Sequence, residues 1–190
     1  SQNCRTKTPV IMPFATSELS NPDSSTDLPA ITDARYLDID RKHQLVTDYL
    51  ERTNQTAIII QKPWNFQWFT SGGSNQTPDG RLCASLYIAR ESRVILTTDT
   101  DSAWIFDTQV PQLGFYVKER SWVEPRDAII NDLCRGRRIV SDTGVAQTKV
   151  VDDDLQSLRI KLSHREQSLA RQLGQELTQC VERTVLSFQP

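Results

Sequence analysis

Short apolar runs that alternate with helix-like stretches are the feature that most restricts the fold of this chain. Five runs have the length and the β-branched composition of strands: residues 56–61, 83–89, 93–98, 114–118 and 137–141. Helical periodicity appears before the first run, at residues 41–50, and between later runs, at residues 101–110 and 125–134. Interleaved strands and helices bury their apolar faces most simply in layers, so this order predicts a three-layer α/β domain.

Two local patterns refine this prediction. Residues 90–92 form a hairpin turn between two of the strands, which predicts a mixed sheet rather than a purely parallel one. The apolar stripe of the first helix consists of Leu45, Val46, Tyr49 and Leu50. This spacing predicts that Lys42 and Asp48 lie on the opposite side of the helix and face solvent.

The charge and composition of the chain exclude several classes of function. The chain has 190 residues, of which 37% are hydrophobic, and a formal net charge of −2. Such a charge provides no basic surface for nucleic acid and no attraction to an anionic membrane. No apolar run approaches the length of a membrane span, so we expect a cytoplasmic protein.

The cysteines show no pattern that indicates a metal site or a disulfide framework. They are Cys4, Cys83, Cys134 and Cys180, and their spacing provides no pair of metal ligands. We expect reduced thiols, three of them in the core and the first in a tail.

The two ends of the chain differ from its centre. Residues 1–36 are rich in Ser, Thr, Asp and Pro, a composition typical of a flexible polar tail. After a helical region at residues 152–158, a long helix begins with a capping box formed by Ser163 and Glu166. Its apolar stripe consists of Leu169, Leu173, Leu177, Cys180, Val181 and Leu186. The preceding domain offers no matching face, so we expect a further domain to cover this stripe, and self-association where it is exposed.

A search for catalytic residues finds none. His43 and His164 have no neighbouring nucleophile or metal-ligand motif, so we interpret both as solvated helix residues. The three acids at residues 152–154 suit the first turn of a helix, whose dipole they stabilise. We interpret the basic run at residues 135–138 as a solvent-exposed segment that leads into a strand. No phosphate-binding, dinucleotide-binding or serine-hydrolase motif is present, and no metal site is predicted.

The segment at residues 63–73 combines four aromatic side chains with two glycines directly after the first strand. On composition alone, two interpretations have equal weight. In one, the aromatics form a hydrophobic plug over an end of the sheet and the glycines permit positive φ. In the other, the segment is a loop that faces a substrate or partner, since loops after strand ends often line clefts in α/β folds.

This segment resembles the signature of the N-terminal domain of the creatinase and Xaa-Pro peptidase family. The matching features are the apolar strand at residues 58–60, then Asn65, Trp68 and the Thr-Ser-Gly step at residues 70–72. A helix before the strand, a hairpin after it and a capped helix after a linker follow in the same order as in that family. The resemblance covers residues 38–190. It implies a creatinase N-terminal-like, ribonuclease H-like domain with a mixed sheet, followed by a long C-terminal helix.

The resemblance also implies how the chain is divided. Residues 37–150 would be the α/β domain and residues 151–190 the linker and first helix of a catalytic domain, while residues 1–36, the polar tail predicted from composition, lie outside the resemblance. The α/β domain would itself be non-catalytic and would roof the active site of a metal-dependent Xaa-Pro peptidase-like hydrolase that forms a homo-oligomer. The divalent metal pair would belong to the catalytic domain, because the two Asp, one His and two Glu ligands of that family would follow residue 190.

The resemblance places five residues nearest a peptide substrate: Asn65, Trp68, Gly72, Gly73 and Arg81. It is also compatible with the creatinase branch of the family, which cleaves a small amidine-like substrate. Two alternatives stay open beside it. One is a stand-alone module that binds a peptide or small ligand through the aromatic segment, and the other is the domain of a catalytically inactive relative.

Overall fold

A six-stranded mixed sheet forms the centre of the structure, a computed structural model that describes residues 27–125 and 127–188. The strands are β1 (Ala57–Ile60), β2 (Ala84–Ala89), β3 (Ser92–Thr98), β4 (Tyr116–Arg120), β5 (Ile139–Ser141) and β6 (Lys149–Val150). Their spatial order is β4-β3-β2-β1-β5-β6. β2 pairs antiparallel with β1 and β3, while the three other pairs are parallel. The predicted mixed sheet is confirmed.

Helices flank this sheet. They are α1 (Asp27–Arg52), α2 (Pro63–Phe69), α3 (Ser102–Trp104), α4 (Ala128–Cys134), α5 (Asp152–Arg159) and α6 (His164–Ser187). A π-helical turn at Ile105–Gln109 continues α3, and a short 3₁₀ turn lies at Val145–Gln147. The predicted α/β class is confirmed, with α6 as the long helix that ends the described chain.

The first strand shows why helices are needed on both faces. All four side chains of β1 are fully buried, and they alternate between two apolar clusters. Ile58 and Ile60 pack in a cluster with side chains of α1, α2 and α5, whereas Ala57 and Ile59 pack in a cluster with side chains of α4. Because a strand points successive side chains to opposite faces, an unbroken apolar run is expected for a strand that is covered on both sides.

Several element boundaries differ from the sequence prediction. α1 begins at Asp27, well inside the predicted polar tail, while residues 1–26 of that tail lie outside the described residues. The segment at residues 63–73 was predicted as a plug or loop, but its first part is α2. The predicted helix at residues 101–110 is a three-residue α-helix followed by the π-helical turn. β6 was not predicted, because a strand of two residues has no measurable periodicity.

Two predictions of exposure are wrong. Lys42, predicted to face solvent, is only 2% exposed, because the end of α2 and the start of α6 contact that side of α1. Cys180, predicted in the core, is exposed, whereas Cys83 is buried and Cys134 is half-buried. Cys4 lies outside the described residues. The periodicity of a helix identifies its apolar side, but it does not show what packs on the polar side.

Candidate domain-docking site

Asn65 connects α2 to two other parts of the chain through its buried side chain. Its Nδ2 donates to Asp142 Oδ2 at 3.0 Å and to Asp152 Oδ1 at 2.9 Å. Its Oδ1 accepts from Arg159 Nη1 at 2.8 Å. Asp142 follows β5, and Asp152 and Arg159 are the first and last residues of α5. The amide of Asn65 therefore uses its donors and its acceptor to hold α2 against the segment from β5 to α5.

The acids that receive these bonds are themselves fixed. Asp142 also accepts from the backbone N–H groups of Gln61 and Lys62, each at 2.9 Å. Asp152 forms an ion pair with Lys62. The hydrogen bond from Lys62 lowers the pKa of Asp152 most, burial opposes this effect, and the hydrogen bond from Asn65 adds to it, so the pKa stays below its usual value. Two carboxylates thus hold the start of α2: Asp142 accepts from backbone and side-chain donors, and Asp152 accepts from side-chain donors.

Lys42 forms a second buried polar cluster, which connects α1, α2 and α6. Its Nζ lies 2.7 Å from Asp38 Oδ2 and 2.8 Å from Glu166 Oε1, and it donates to the carbonyl oxygen of Trp68 at 2.8 Å. Burial alone would raise the pKa of Asp38, but hydrogen bonds from Lys42, Ser163 and Ser71 outweigh it and hold the pKa below its usual value. We call these residues the Lys42 cluster.

The capping box predicted at the start of α6 is confirmed and belongs to the same cluster. Glu166 N donates to Ser163 Oγ at 3.1 Å, and Ser163 N donates to Glu166 Oε2 at 2.7 Å. One oxygen of Glu166 therefore caps its own helix while the other binds Lys42. As a result, the first turn of α6 is fixed to α1.

Beyond this first turn, α6 leaves the surface of the domain. Its 24 residues extend over about 36 Å at the usual rise of a helix. A row of apolar side chains, which we call the α6 stripe, is 47% to 61% exposed and consists of Leu169, Leu173, Leu177, Val181 and Val185. A continuous row of exposed apolar side chains indicates a surface that another polypeptide covers.

A groove lies where the α6 stripe meets α2. This α2–α6 groove has a volume of about 390 Å³, and Leu169 forms part of its wall. α2 contributes Trp64, Gln67 and Trp68, which lie on one face of the helix because residues three and four apart are neighbours. Trp64 is half exposed, and the ammonium group of Lys62 lies 5.5 Å from the centre of its ring. The groove thus has aromatic walls at the base of the apolar stripe.

Two of the five residues predicted near a substrate, Trp68 and Gly72, line this groove. Asn65 is fully buried in its hydrogen-bond network. Gly73 is buried where an added Cβ would lie 2.9 Å from Thr70 Oγ1 and 3.0 Å from the carbonyl oxygen of Gln109. Arg81 instead pairs with Asp101 through two hydrogen bonds of 2.9 Å. Their proximity to a substrate stays a prediction.

The structure adds groove residues that the sequence prediction did not include. Trp64, Gln67 and Arg159 line the groove together with Leu169. The spacing of Trp64, Gln67 and Trp68 was visible in the sequence once Pro63 was taken as the first residue of a helix. Phe66 and Phe69 point the other way and are fully buried, so the aromatic segment is partly a core plug and partly a groove wall.

The histidines and acids do not form a metal site. His43 is half-buried, and its Nε2 donates to the carbonyl oxygen of Ala89 at 2.8 Å, while His164 is exposed. Within residues 27–125 and 127–188, no three His, Cys, Asp or Glu side chains are arranged to hold a metal ion. The metal pair that the sequence resemblance implies for a further catalytic domain stays a prediction. None of the helices in the described ranges combines the length and the apolar character of a membrane span.

The structure is similar to solved structures of a dipeptidase, a prolidase and the N-terminal domain of an X-Pro dipeptidase. The dipeptidase PepE from Mycobacterium ulcerans matches with a TM-score of 0.54 and 13% identity, over 70% of this chain and 39% of that one. The prolidase from Pyrococcus horikoshii matches with a TM-score of 0.48 and 15% identity, over 67% of this chain and 37% of that one. The creatinase/prolidase N-terminal domain of an X-Pro dipeptidase from Streptococcus pyogenes matches with a TM-score of 0.46 and 12% identity, over 62% of this chain and 98% of that one.

At these identities the likeness establishes the fold: a creatinase N-terminal-like α/β domain, as the sequence resemblance implied. The chain spans about two fifths of the length of the full dipeptidase and prolidase chains that it matches. No protein-family model and no curated protein sequence matches this chain.

Proposed function

We propose that this chain is the non-catalytic accessory domain of a metal-dependent Xaa-Pro peptidase-like hydrolase, and that a catalytic domain packs on the α6 stripe. The α2–α6 groove would then lie at the junction of the two domains. In that position Trp64, Trp68 and Gly72 would form part of the roof over a peptide substrate. The divalent metal pair would be held by the catalytic domain, where it would activate the water that attacks the peptide bond.

The observation that carries this proposal is the way α6 is held. The Lys42 cluster fixes the first turn of α6 to the domain, whereas its apolar stripe faces solvent. A helix anchored at one end and apolar along its free length is suited to connect two domains, because one end sets the angle and the stripe supplies the buried contact. The shared fold with PepE, of which this chain spans about two fifths, supports the same arrangement.

The direct test is the size and activity of the native protein. An antibody against this chain should recover, from the cells that produce it, a polypeptide much larger than 21.6 kDa. The recovered protein should hydrolyse an Xaa-Pro dipeptide with manganese or cobalt and lose this activity with a chelator. The 190-residue chain by itself should show no hydrolysis under the same conditions.

Other outcomes would identify the alternatives. A native species of 21.6 kDa that binds peptides without hydrolysis would indicate a stand-alone module. A large native protein that lacks activity with every divalent metal would indicate an inactive relative. Metal-dependent hydrolysis by the 190-residue chain itself would contradict the proposal.

A further inference from the structure

A second groove beside α6 is lined by three basic side chains and one acidic side chain. This α1–α6 groove has a volume of about 610 Å³ and runs between the first turns of α6 and the middle of α1. Its basic side chains are Arg41, His164 and Arg165, and its apolar walls include Leu37 and Leu169. Leu37 and Leu169 are 67% and 47% exposed, so the walls are open to a ligand.

The acidic side chain that lines this groove, Asp38, already has partners within the chain. Asp38 lines the wall, but its carboxylate is bound by Lys42 and by the hydroxyl group of Ser71, each at 2.7 Å. Among residues 33–125 and 127–188, neither Arg41 nor Arg165 forms an ion pair. The positive charge of these two guanidinium groups is therefore not balanced within that part of the chain.

Arg165 carries a donor that has no partner. Its Nε is buried and forms no hydrogen bond among the described residues. A buried N–H group without an acceptor is costly, so an acceptor that reaches Arg165 would remove this cost. The pKa of Arg35 is lowered, first because its guanidinium group is partly buried and second because the positive charge of Arg165 repels it. Arg35 itself donates to the carbonyl oxygens of Thr70 and Gln109, so Arg165 is the member of this pair that lines the groove.

We propose that the α1–α6 groove binds an acidic peptide segment, with a carboxylate on Arg41 and Arg165 and an apolar side chain between Leu37 and Leu169. Guanidinium groups bind carboxylates with paired hydrogen bonds, which gives both strength and orientation. The apolar walls favour a carboxylate carried on a peptide over a free inorganic anion, because an inorganic anion leaves Leu37 and Leu169 uncovered. This proposal concerns the 190-residue chain, in which Leu169 is exposed, and a domain packed on the α6 stripe would compete for that side chain.

The test is a titration of the full 190-residue chain with a short capped peptide of alternating leucine and glutamate. The matched probe replaces each glutamate with glutamine and keeps the apolar side chains. We expect saturable binding of the acidic peptide, weakened by added salt, and at least about tenfold weaker binding of the glutamine peptide. Arg41→Gln and Arg165→Gln should each weaken binding of the acidic peptide by about tenfold.

Arg171→Gln is the matched control, because Arg171 is exposed on the same helix and does not line the groove. It should leave the affinity unchanged. Arg41 is exposed, so Arg41→Gln reports on the groove even if Arg165→Gln disturbs the start of α6. Equal affinity for the two peptides, or unchanged affinity in both groove variants, would overturn the proposal. Binding of inorganic phosphate with the same dependence on Arg41, but no binding of the acidic peptide, would reject the peptide as the source of the anion.

Discussion

The ammonium group of Lys42 lies 2.8 Å from Glu166 Oε1, so a buried lysine of α1 holds the first turn of α6. The same group binds Asp38 and the end of α2. One charged side chain thus determines where the long helix leaves the domain. Because α6 lies between the two grooves, this contact positions both of the surfaces proposed for binding.

Replacing Lys42 should strongly destabilise the domain. In Lys42→Met, the carboxylates of Asp38 and Glu166 lose their buried counter-ion, and breaking a buried ion pair in this way costs about 3 to 5 kcal/mol. Urea unfolding of the purified variant measures the change. Gln44→Ala, on an exposed position of the same helix, should stay within about 0.5 kcal/mol of the parent. A loss of less than about 1 kcal/mol in Lys42→Met would contradict the role of the cluster.

Asn65→Ala should lower the free energy of unfolding by about 3 kcal/mol. The substitution removes one hydrogen bond each from Asp142, Asp152 and Arg159, and a buried polar group left unsatisfied costs about 1 to 3 kcal/mol unless water replaces the lost bond. The measurement is again chemical denaturation. Gln67→Ala on the same helix is the control, since that side chain lines the open groove. Similar values for the two variants would show that the amide network does not stabilise α2.

The stability of the domain should fall in acid. The pKa values of Asp38 and Asp152 are lower in the folded state than their usual value of 3.8. The unfolded state therefore binds more protons below about pH 4, and the free energy of unfolding falls as the pH decreases through the folded pKa values. Urea unfolding between pH 6 and pH 2, in steps of roughly half a unit, tests this dependence. Asp38→Asn should show a shallower decrease, and an identical slope would exclude Asp38 as a contributor.

Two glycines should respond in opposite directions to the same substitution. Gly73→Ala would place a Cβ 2.9 Å from Thr70 Oγ1 and 3.0 Å from the carbonyl oxygen of Gln109, so we expect a loss of about 1 to 3 kcal/mol. Gly174→Ala lies within α6, where an added Cβ meets nothing within 4 Å. It should increase helicity and stabilise α6 by about 1 kcal/mol. Circular dichroism and thermal unfolding of both variants provide the comparison.

The α6 stripe should cause self-association of the 190-residue chain. Sedimentation at rising concentration should show oligomers, because exposed apolar rows pair with one another in water. The double variant Leu173→Gln and Leu177→Gln should shift the equilibrium toward monomer. Gln175→Ala with Gln179→Ala, on the opposite side of the helix, is the matched control and should behave like the parent. A parent chain that stays monomeric at high concentration would contradict the expected exposure of the stripe.

Much of the fold could be predicted because its signals are local. The apolar run of β1, the hairpin between β2 and β3, and the capping box at Ser163 each depend on residues close together in the sequence. The same reasoning found the apolar stripe of α6 and the lack of a partner for it. These features persist in the structure because side-chain periodicity and helix capping act over only a few residues.

Other features depend on which distant elements meet, and these required the tertiary structure. The contacts of Lys42 with Glu166 and of Asn65 with Asp142 and Asp152 join residues that are far apart in the sequence. The burial of Arg165 Nε also depends on elements that meet only in the folded chain. Composition and spacing describe one element at a time. The sequence alone therefore determined the elements and the apolar faces of this domain, whereas packing between α1, α2 and α6 decided which polar groups are buried together, since only contact between distant segments removes them from water.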